Sequence, residues 1–173
     1  VLADLETGKY SDICNHINQE LDFLSTPITP ATQNSLIYLI VKQKEEEAQK
    51  YGISLICEYH EIQNINISTI DLAIILGNAL DNAIEATQNI DGNVKKNVSL
   101  LIKTQRDQII IIIKNPVTDK VDVNNLLSTK NPNYHGFGIL SMKNLANIYG
   151  GNIVFSIDNN LFQTSIILNN KNE

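Results

Sequence analysis

The chain has 173 residues, is 43% hydrophobic and 18% charged, and carries a formal net charge of −6. That length and apolar content suffice for one substantial core with an appendage, while the acidic balance and the lack of a basic stripe argue against a nucleic-acid partner. The longest obvious apolar run, Ile109 to Ile113, is far short of the roughly 18 residues of a membrane helix, so no direct membrane contact is expected.

The chain starts at Val1 without an initiator Met or a signal-peptide pattern, which reads as part of a larger protein. Ser11 is placed to cap a helix holding Ile13, Ile17, Leu21 and Leu24, which Pro27 and Pro30 interrupt. Cys14 in that helix and Cys57 further on lack metal-type spacing and read as small buried hydrophobes in a reducing compartment. A second helix is predicted from about Thr32 to Tyr51, with Leu36, Leu39 and Ile40 on its apolar side, the charged block Lys42 to Lys50 as a solvated face, and Gly52 as its stop. Two antiparallel helices with incomplete apolar stripes want a partner, so a dimerising hairpin is expected over residues 1–51.

After Gly52 the period becomes strand-like. Ile53 to His60, Val98 to Thr104, Gln108 to Lys114, Asn152 to Ile157 and Phe162 to Leu168 read as strands rich in Ile, Val and Leu. Arg106-Asp107 sits where a tight hairpin would turn. Pro116 to Tyr134 has little periodicity and reads as a long loop, of the kind that commonly forms a lid over a ligand. Residues 52–173 thus form one α+β unit, a sheet with helices on one face.

Between the first two strands lies Leu76-Gly77-Asn78-Ala79-Leu80-Asp81-Asn82-Ala83-Ile84-Glu85-Ala86. At about 100° per residue, Asp71, Asn78, Asn82, Glu85 and Asn89 share one helix face, with Leu72, Leu76, Ala79, Leu80 and Ala83 largely opposite. Asn is common here, 23 of 173 residues, so an i, i+4 pair alone says little. Its chemistry says more: an amide oxygen is a hard ligand that does not titrate, and Mg²⁺ favours a few protein oxygens completed by water and phosphate. Asn82 is the candidate metal ligand.

A second motif is His135-Gly136-Phe137-Gly138-Ile139-Leu140-Ser141-Met142-Lys143, continued to Tyr149 and closed by Gly150-Gly151. Its two glycines open a helix and the glycine pair ends it. Glycine lets backbone approach a ligand, and the unpaired N–H groups of a helix start favour an anion, so this is a candidate phosphate seat.

The Asn-bearing string resembles the N-box of the GHKL nucleotide-binding fold shared by sensor histidine kinases, type II topoisomerases, Hsp90 and MutL, and the glycine motif resembles that fold's second glycine box. With Ser128-Thr129-Lys130 between them, the layout resembles most closely the catalytic region of accessory-gene-regulator-type quorum-sensing histidine kinases. The resemblance implies a GHKL (Bergerat) α+β two-layer sandwich with a mixed, mostly antiparallel sheet, preceded by a partial helical dimerisation hairpin. It implies ATP and Mg²⁺ as ligands, with Asn82 on the metal, Gly136 and Gly138 beside the phosphates, Lys130 reaching them from the lid, His135 as a phosphate or lid contact, and Asn78 and Glu85 in the same site. It further implies a homodimer through the N-terminal helices, a response regulator as partner, and a place as the cytoplasmic part of a membrane-bound sensor. The acceptor, a His followed by Asp in an upstream helix, matches none of His16, His60 and His135 and is expected outside this chain.

Two departures bear on mechanism. Most GHKL proteins carry an Asp-x-Gly-x-Gly box whose Asp accepts from the adenine amino group; here the strand ends Lys114-Asn115-Pro116-Val117, with Asn115 at the Asp position and the glycines gone. The accessory-gene-regulator-type kinases show the same kind of loss. GHKL ATPases also place a water-activating Glu one turn before the metal-binding Asn; that position is Asn78, whose amide is no base, so transfer to an imidazole is favoured over hydrolysis. Two alternatives stay open: a degenerate, non-catalytic GHKL module that binds a partner protein, and an ATPase of the topoisomerase or MutL kind, against which Asn78 argues.

Overall fold

The computed structural model describes residues 30–60, 65–90, 94–117 and 136–171. Helix α1 spans Pro30–Lys50, strand β1 Ser54–His60, helix α2 Thr69–Gln88, strand β2 Asn97–Gln105, strand β3 Gln108–Pro116, helix α3 Gly136–Ile148, strand β4 Asn152–Asp158 and strand β5 Leu161–Asn169. The five strands form one sheet in the order β1-β2-β3-β5-β4. β1 and β2 are parallel, joined through α2 as a parallel pair requires; the other neighbours are antiparallel. The expected α+β sandwich with a mixed, mostly antiparallel sheet is therefore present. The helix expected over Ser11 to Leu24 and most of the loop expected from Pro116 to Tyr134 lie outside the described residues.

The two hairpins follow from their turn residues. Arg106 takes φ +55° between the paired Gln105 and Gln108. Asn159 and Asn160 take φ +49° and +59° between β4 and β5, the pair of left-handed residues that a type I′ turn demands and that Asn tolerates. These turns decide the parity of the Ile109–Ile113 run, which has no alternation of its own: Ile109, Ile111 and Ile113 are buried under the helices, while Ile110 and Ile112 lie partly exposed on the other face. Val98, Leu100 and Ile102 on β2 and Ile166 and Leu168 on β5 complete the inner face.

Helices α1 and α3 both end in a left-handed glycine with paired closing bonds. Gly52 (φ +68°) donates to Gln49 O and Ile53 to Ala48 O; Gly150 (φ +58°) donates to Asn147 O and Gly151 to Ala146 O. Gly151 also lies so close to β5 that a Cβ would meet Ile167 O at 1.9 Å, so no larger residue fits there without moving backbone.

The apolar side of α1 differs from the expected Leu36, Leu39 and Ile40. Leu36, Ile37, Ile40, Val41 and Ala48 are buried in the same core as the sheet and α2, while Leu39 is half-buried. The charged block is solvated except at one position. Lys44 is 3% exposed, and its ammonium donates to Asp81 of α2 at 2.5 Å and to Glu47 at 2.9 Å. A solvated face assigned from charge alone cannot foresee this, because the partner lies 37 residues away. Cys57 is a free, half-buried thiol packed against the core, and Cys14 lies outside the described residues. Among the described residues no helix is long and apolar enough to cross a membrane.

Burial lowers the affinity of Lys44 for its proton, but Asp81 and Glu47 more than offset it, so its pKa lies above the ordinary 10.5. The pair's contribution to stability is thus fully present below that unfolded value and is lost as pH rises through the folded one. Asp81→Ala leaves a buried ammonium with Glu47 alone and is expected to cost about 2–3 kcal/mol in urea unfolding, below the roughly 3–5 kcal/mol of a fully orphaned buried charge. Lys44→Met removes the buried charge and leaves Asp81, which is 28% exposed, in contact with water, and is expected to cost less than about 1 kcal/mol. The stability gap between Asp81→Ala and the unaltered chain should narrow in alkali above the Lys44 pKa.

Candidate functional site

Helix α2 carries strong formers at Leu72, Leu76, Ala79, Leu80 and Ala83, begins after Ser68 and has Asp71 in its first turn, where an acid suits the helix dipole. Ile75, Leu76 and Leu80 are completely buried. Its C-terminal half borders a cavity of about 240 Å³ through Asn82, Ala83, Glu85, Ala86 and Asn89. The remaining wall comes from Asn115 and Val117 at the end of β3, Ile139 in the first turn of α3, and Phe155, Phe162 and Thr164 on β4 and β5. Phe155 and Phe162 stack with centroids 5.8 Å apart and planes inclined by 26°. Register places Asn115 beside Phe162, and Thr164 beside Phe155. The result is a mostly apolar slot with an aromatic floor and a few amides at its edge, the usual composition of a site for a flat organic ring. Its volume falls short of the roughly 300–1,000 Å³ of pockets that enclose whole drug-sized ligands, so it suits one ring system with the rest of a ligand outside.

Of the residues singled out from the sequence, Asn82, Glu85 and Asn115 meet in this cavity. Asn78 does not line it. Asn78 is 7% exposed and lies against α3, where a Cβ on Gly138 would come within 3.0 Å of its Oδ1. Gly136 opens α3 as expected. Lys130 and His135 lie outside the described residues. The expected polar face of α2 is therefore divided: Asn82, Glu85 and Asn89 face the cavity, whereas Asn78 and Asp71 are engaged with α3. The Tyr149 hydroxyl just beyond α3 donates to Asp71 Oδ2 at 2.6 Å and accepts from the Ser68 N–H at 3.1 Å. Burial, then the Asp71 carboxylate, raise the pKa of that phenol and keep it protonated. With Asp71 near the end of α3 and Asn78 near its start, the two helices run side by side in opposite directions.

The aromatic floor was not legible as a site. Phe155 shares strand parity with buried Ile153, and Phe162 shares it with buried Ile166, so both read as core. The available signal was Thr164, a polar residue at a core parity position, 7% exposed. Among the described residues no three His, Cys, Asp or Glu side chains gather as a metal site. A cation here would rest on an amide oxygen and on its own ligand's oxygens.

Residues 67–169 match the family model described as GHKL domain. No curated protein matches the chain in sequence. Among solved structures, the fold is similar to the catalytic domain of histidine kinase ThkA in a nucleotide-free form, with a TM-score of 0.63 and 18% identity over 81% of this chain and 94% of that one. A second nucleotide-free form of that domain aligns with a TM-score of 0.62, 18% identity and coverage of 79% and 91%. The Acinetobacter baumannii histidine kinase AdeS aligns with a TM-score of 0.59, 14% identity, and coverage of 79% and 66%. At these identities the likeness is one of fold.

The contact between Gly138 and Asn78 makes a checkable claim. Gly138→Ala should displace the Asn78 amide by a few tenths of an ångström and cost under about 1 kcal/mol, whereas Gly138→Val should cost about 1–3 kcal/mol as its second arm overpacks the helix pair. Thermal melts of the two variants check the order; equal melting temperatures for Val and Gly would refute the contact.

Proposed function

We propose, from the premise that the chain belongs to the GHKL domain family, that it is the ATP- and Mg²⁺-binding catalytic region of a sensor histidine kinase of the accessory-gene-regulator type. The observation that carries this reading is the meeting of Asn82 of α2 and Asn115 of β3 in one apolar slot floored by stacked Phe155 and Phe162. The slot takes the adenine ring between α2 and the sheet, with Asn115 at its polar edge. The triphosphate then leaves toward the start of α3 at Gly136, since the first N–H groups of a helix suit an anion. Lys130 and His135 complete the phosphate contacts.

The residues present fit the cation. Asn82 is partly exposed at the cavity, and its amide oxygen is the kind of hard, neutral donor that Mg²⁺ accepts beside phosphate oxygens. Bound there, Mg²⁺ would neutralise phosphate charge, the main electrostatic demand of phosphoryl transfer. The chain's own contribution is to seat the base and orient the phosphates. Asn78 fills the place of the hydrolytic Glu with a buried amide that takes no proton, which supports transfer over hydrolysis.

Around this core, the reading keeps a γ-phosphoryl transfer to a His outside the chain, a response regulator as the next acceptor, and dimerisation through residues 1–51 of the two-part division at 51/52. It keeps a cytoplasmic position below a membrane-bound sensor. The non-catalytic alternative draws on one feature: β3 runs on as a paired strand through Pro116, opposite Leu161, where other GHKL proteins carry their first glycine box.

Two outcomes are expected. Asn82→Ala should lower Mg²⁺-dependent ATP affinity at least tenfold while leaving the circular dichroism spectrum unchanged, since the side chain borders the cavity and not the core. Unaltered affinity in a folded variant refutes the metal assignment. The chain alone should take up no acid-labile label from γ-labelled ATP, and label on His16 would refute the external acceptor.

A further inference from the structure

Lys44 is a buried cation that the nucleotide reading leaves unused. It lies in the stripe of α1 that also holds the buried Ile37, Val41 and Ala48. An apolar residue would fill that place at less cost, because an ammonium taken out of water recovers the loss only where its partners are well placed. Glu47, one turn on, holds the ammonium from its own helix, and Asp81 holds it from α2. The bridge is therefore complete only while the two helices keep this register. Asp81 immediately precedes Asn82. Successive side chains of a helix point about 100° apart, so this one turn of α2 sends a carboxylate to α1 and an amide to the cavity.

The core-facing residues of that turn are Ala79, Leu80 and Ala83. Two of the three offer a single methyl to interlock with their neighbours, so they set the depth of α2 better than its roll about its own axis. Roll is what a metal ligand feels. A side-chain oxygen about 5–6 Å from the helix axis moves about 1 Å when the helix rolls by about 10°, whereas a working ligand has to be held within about 0.5 Å and Mg²⁺ tolerates little departure from octahedral geometry. We propose that the Lys44–Asp81 pair is a positioning contact for Asn82: the seating of α1 on α2 sets the roll of α2 at the metal ligand, and through it the affinity of the site for a nucleotide carrying Mg²⁺. Displacement of α1 from this register lowers that affinity. The inference rests on the nucleotide reading and adds to it a means by which the N-terminal helix regulates the site.

The test measures the affinity of the full 173-residue chain for ATP, with Mg²⁺ and with the metal chelated, together with amide hydrogen exchange. Lys44→Met is expected to weaken ATP binding about three- to tenfold with Mg²⁺ and less than about twofold without it, well under the roughly hundredfold that a full 1 Å misplacement can cost. An Asp81 carboxylate acting only by repulsion gives the opposite pattern, because metal-free ATP carries the higher negative charge and loses more. On an Asn82→Ala background, Lys44→Met should cause no further loss. Coupling is reciprocal, so ATP with Mg²⁺ should slow exchange in residues 36–48 of α1 more than in β1, although neither element lines the cavity, and Lys44→Met should abolish that excess. A folded Lys44→Met chain with an unaltered response to Mg²⁺ overturns the positioning contact, as do equal losses with and without metal, or an undiminished loss beside Asn82→Ala. An unaltered chain whose α1 gains no more protection than β1 overturns it too, even where the variant fails to fold. Normal binding of ATP and Mg²⁺ by folded Asn82→Ala instead removes the metal assignment, and the positioning contact with it.

Discussion

Helix α2 is enclosed on three sides, by α1, by α3 and by the inner face of the sheet, and most of the molecule follows from that enclosure. A helix so buried must place every polar side chain against a partner or at an opening, because an unmade hydrogen bond or an unpaired charge in the interior costs more than a made one gains. Several polar positions on α2 show how this is met. Asp71 takes the Tyr149 hydroxyl, Asp81 takes the Lys44 ammonium, Thr87 donates to Ala83 O, and Asn82 and Glu85 reach the cavity described above. The candidate site lies along the stretch of α2 that borders this cavity.

This explains which parts were legible in the sequence. Strand existence and order follow from Ile, Val and Leu runs bounded by turn residues, and every predicted strand is present to within a residue or two. Helical period located the amide-bearing face of α2. It could not divide that face between α3 and the cavity, because the division depends on where α3 packs, and α3 is 50 residues further along the chain. Asn78 and Asn82 are chemically identical and one turn apart, yet one faces α3 and the other the cavity. Lys44 was obscured in the same way, as one cation in a charged run whose partner is on another helix. The floor of Phe155 and Phe162 was hidden by parity, since a side chain lining an apolar slot and one filling a core obey the same alternation.

The Lys44–Asp81 pair also ties the first helix to the site. Asp81 precedes Asn82 directly, and α1 lies on α2 through Leu36, Ile37, Ile40 and Val41 as well as through the pair. Apolar contact alone would tolerate sliding of one helix along the other; a buried ammonium bonded across the helix pair to Asp81 does not, because displacement by one turn would leave it with Glu47 of its own helix alone. The register of α1 on α2 is thereby specified at the residue beside Asn82.

The choice of amides at the cavity edge has its own logic. Asn82, Asn89 and Asn115 border the slot, with Glu85 as the one carboxylate among the described lining residues. In a chain already at −6, further carboxylates would repel a polyphosphate, whereas amide oxygens accept hydrogen bonds and hold a cation without adding charge or titrating. The cost of that choice is orientation. A carboxylate accepts with either oxygen, but an amide presents an acceptor only if something holds its nitrogen elsewhere. At Asn115 that duty falls to the Pro116 carbonyl, fixed in turn by the Val117–Asn160 bond to the β4–β5 hairpin. The orientation of this amide is thus set by a type I′ turn remote in sequence, because the bond to Pro116 fixes which of its two ends faces the cavity.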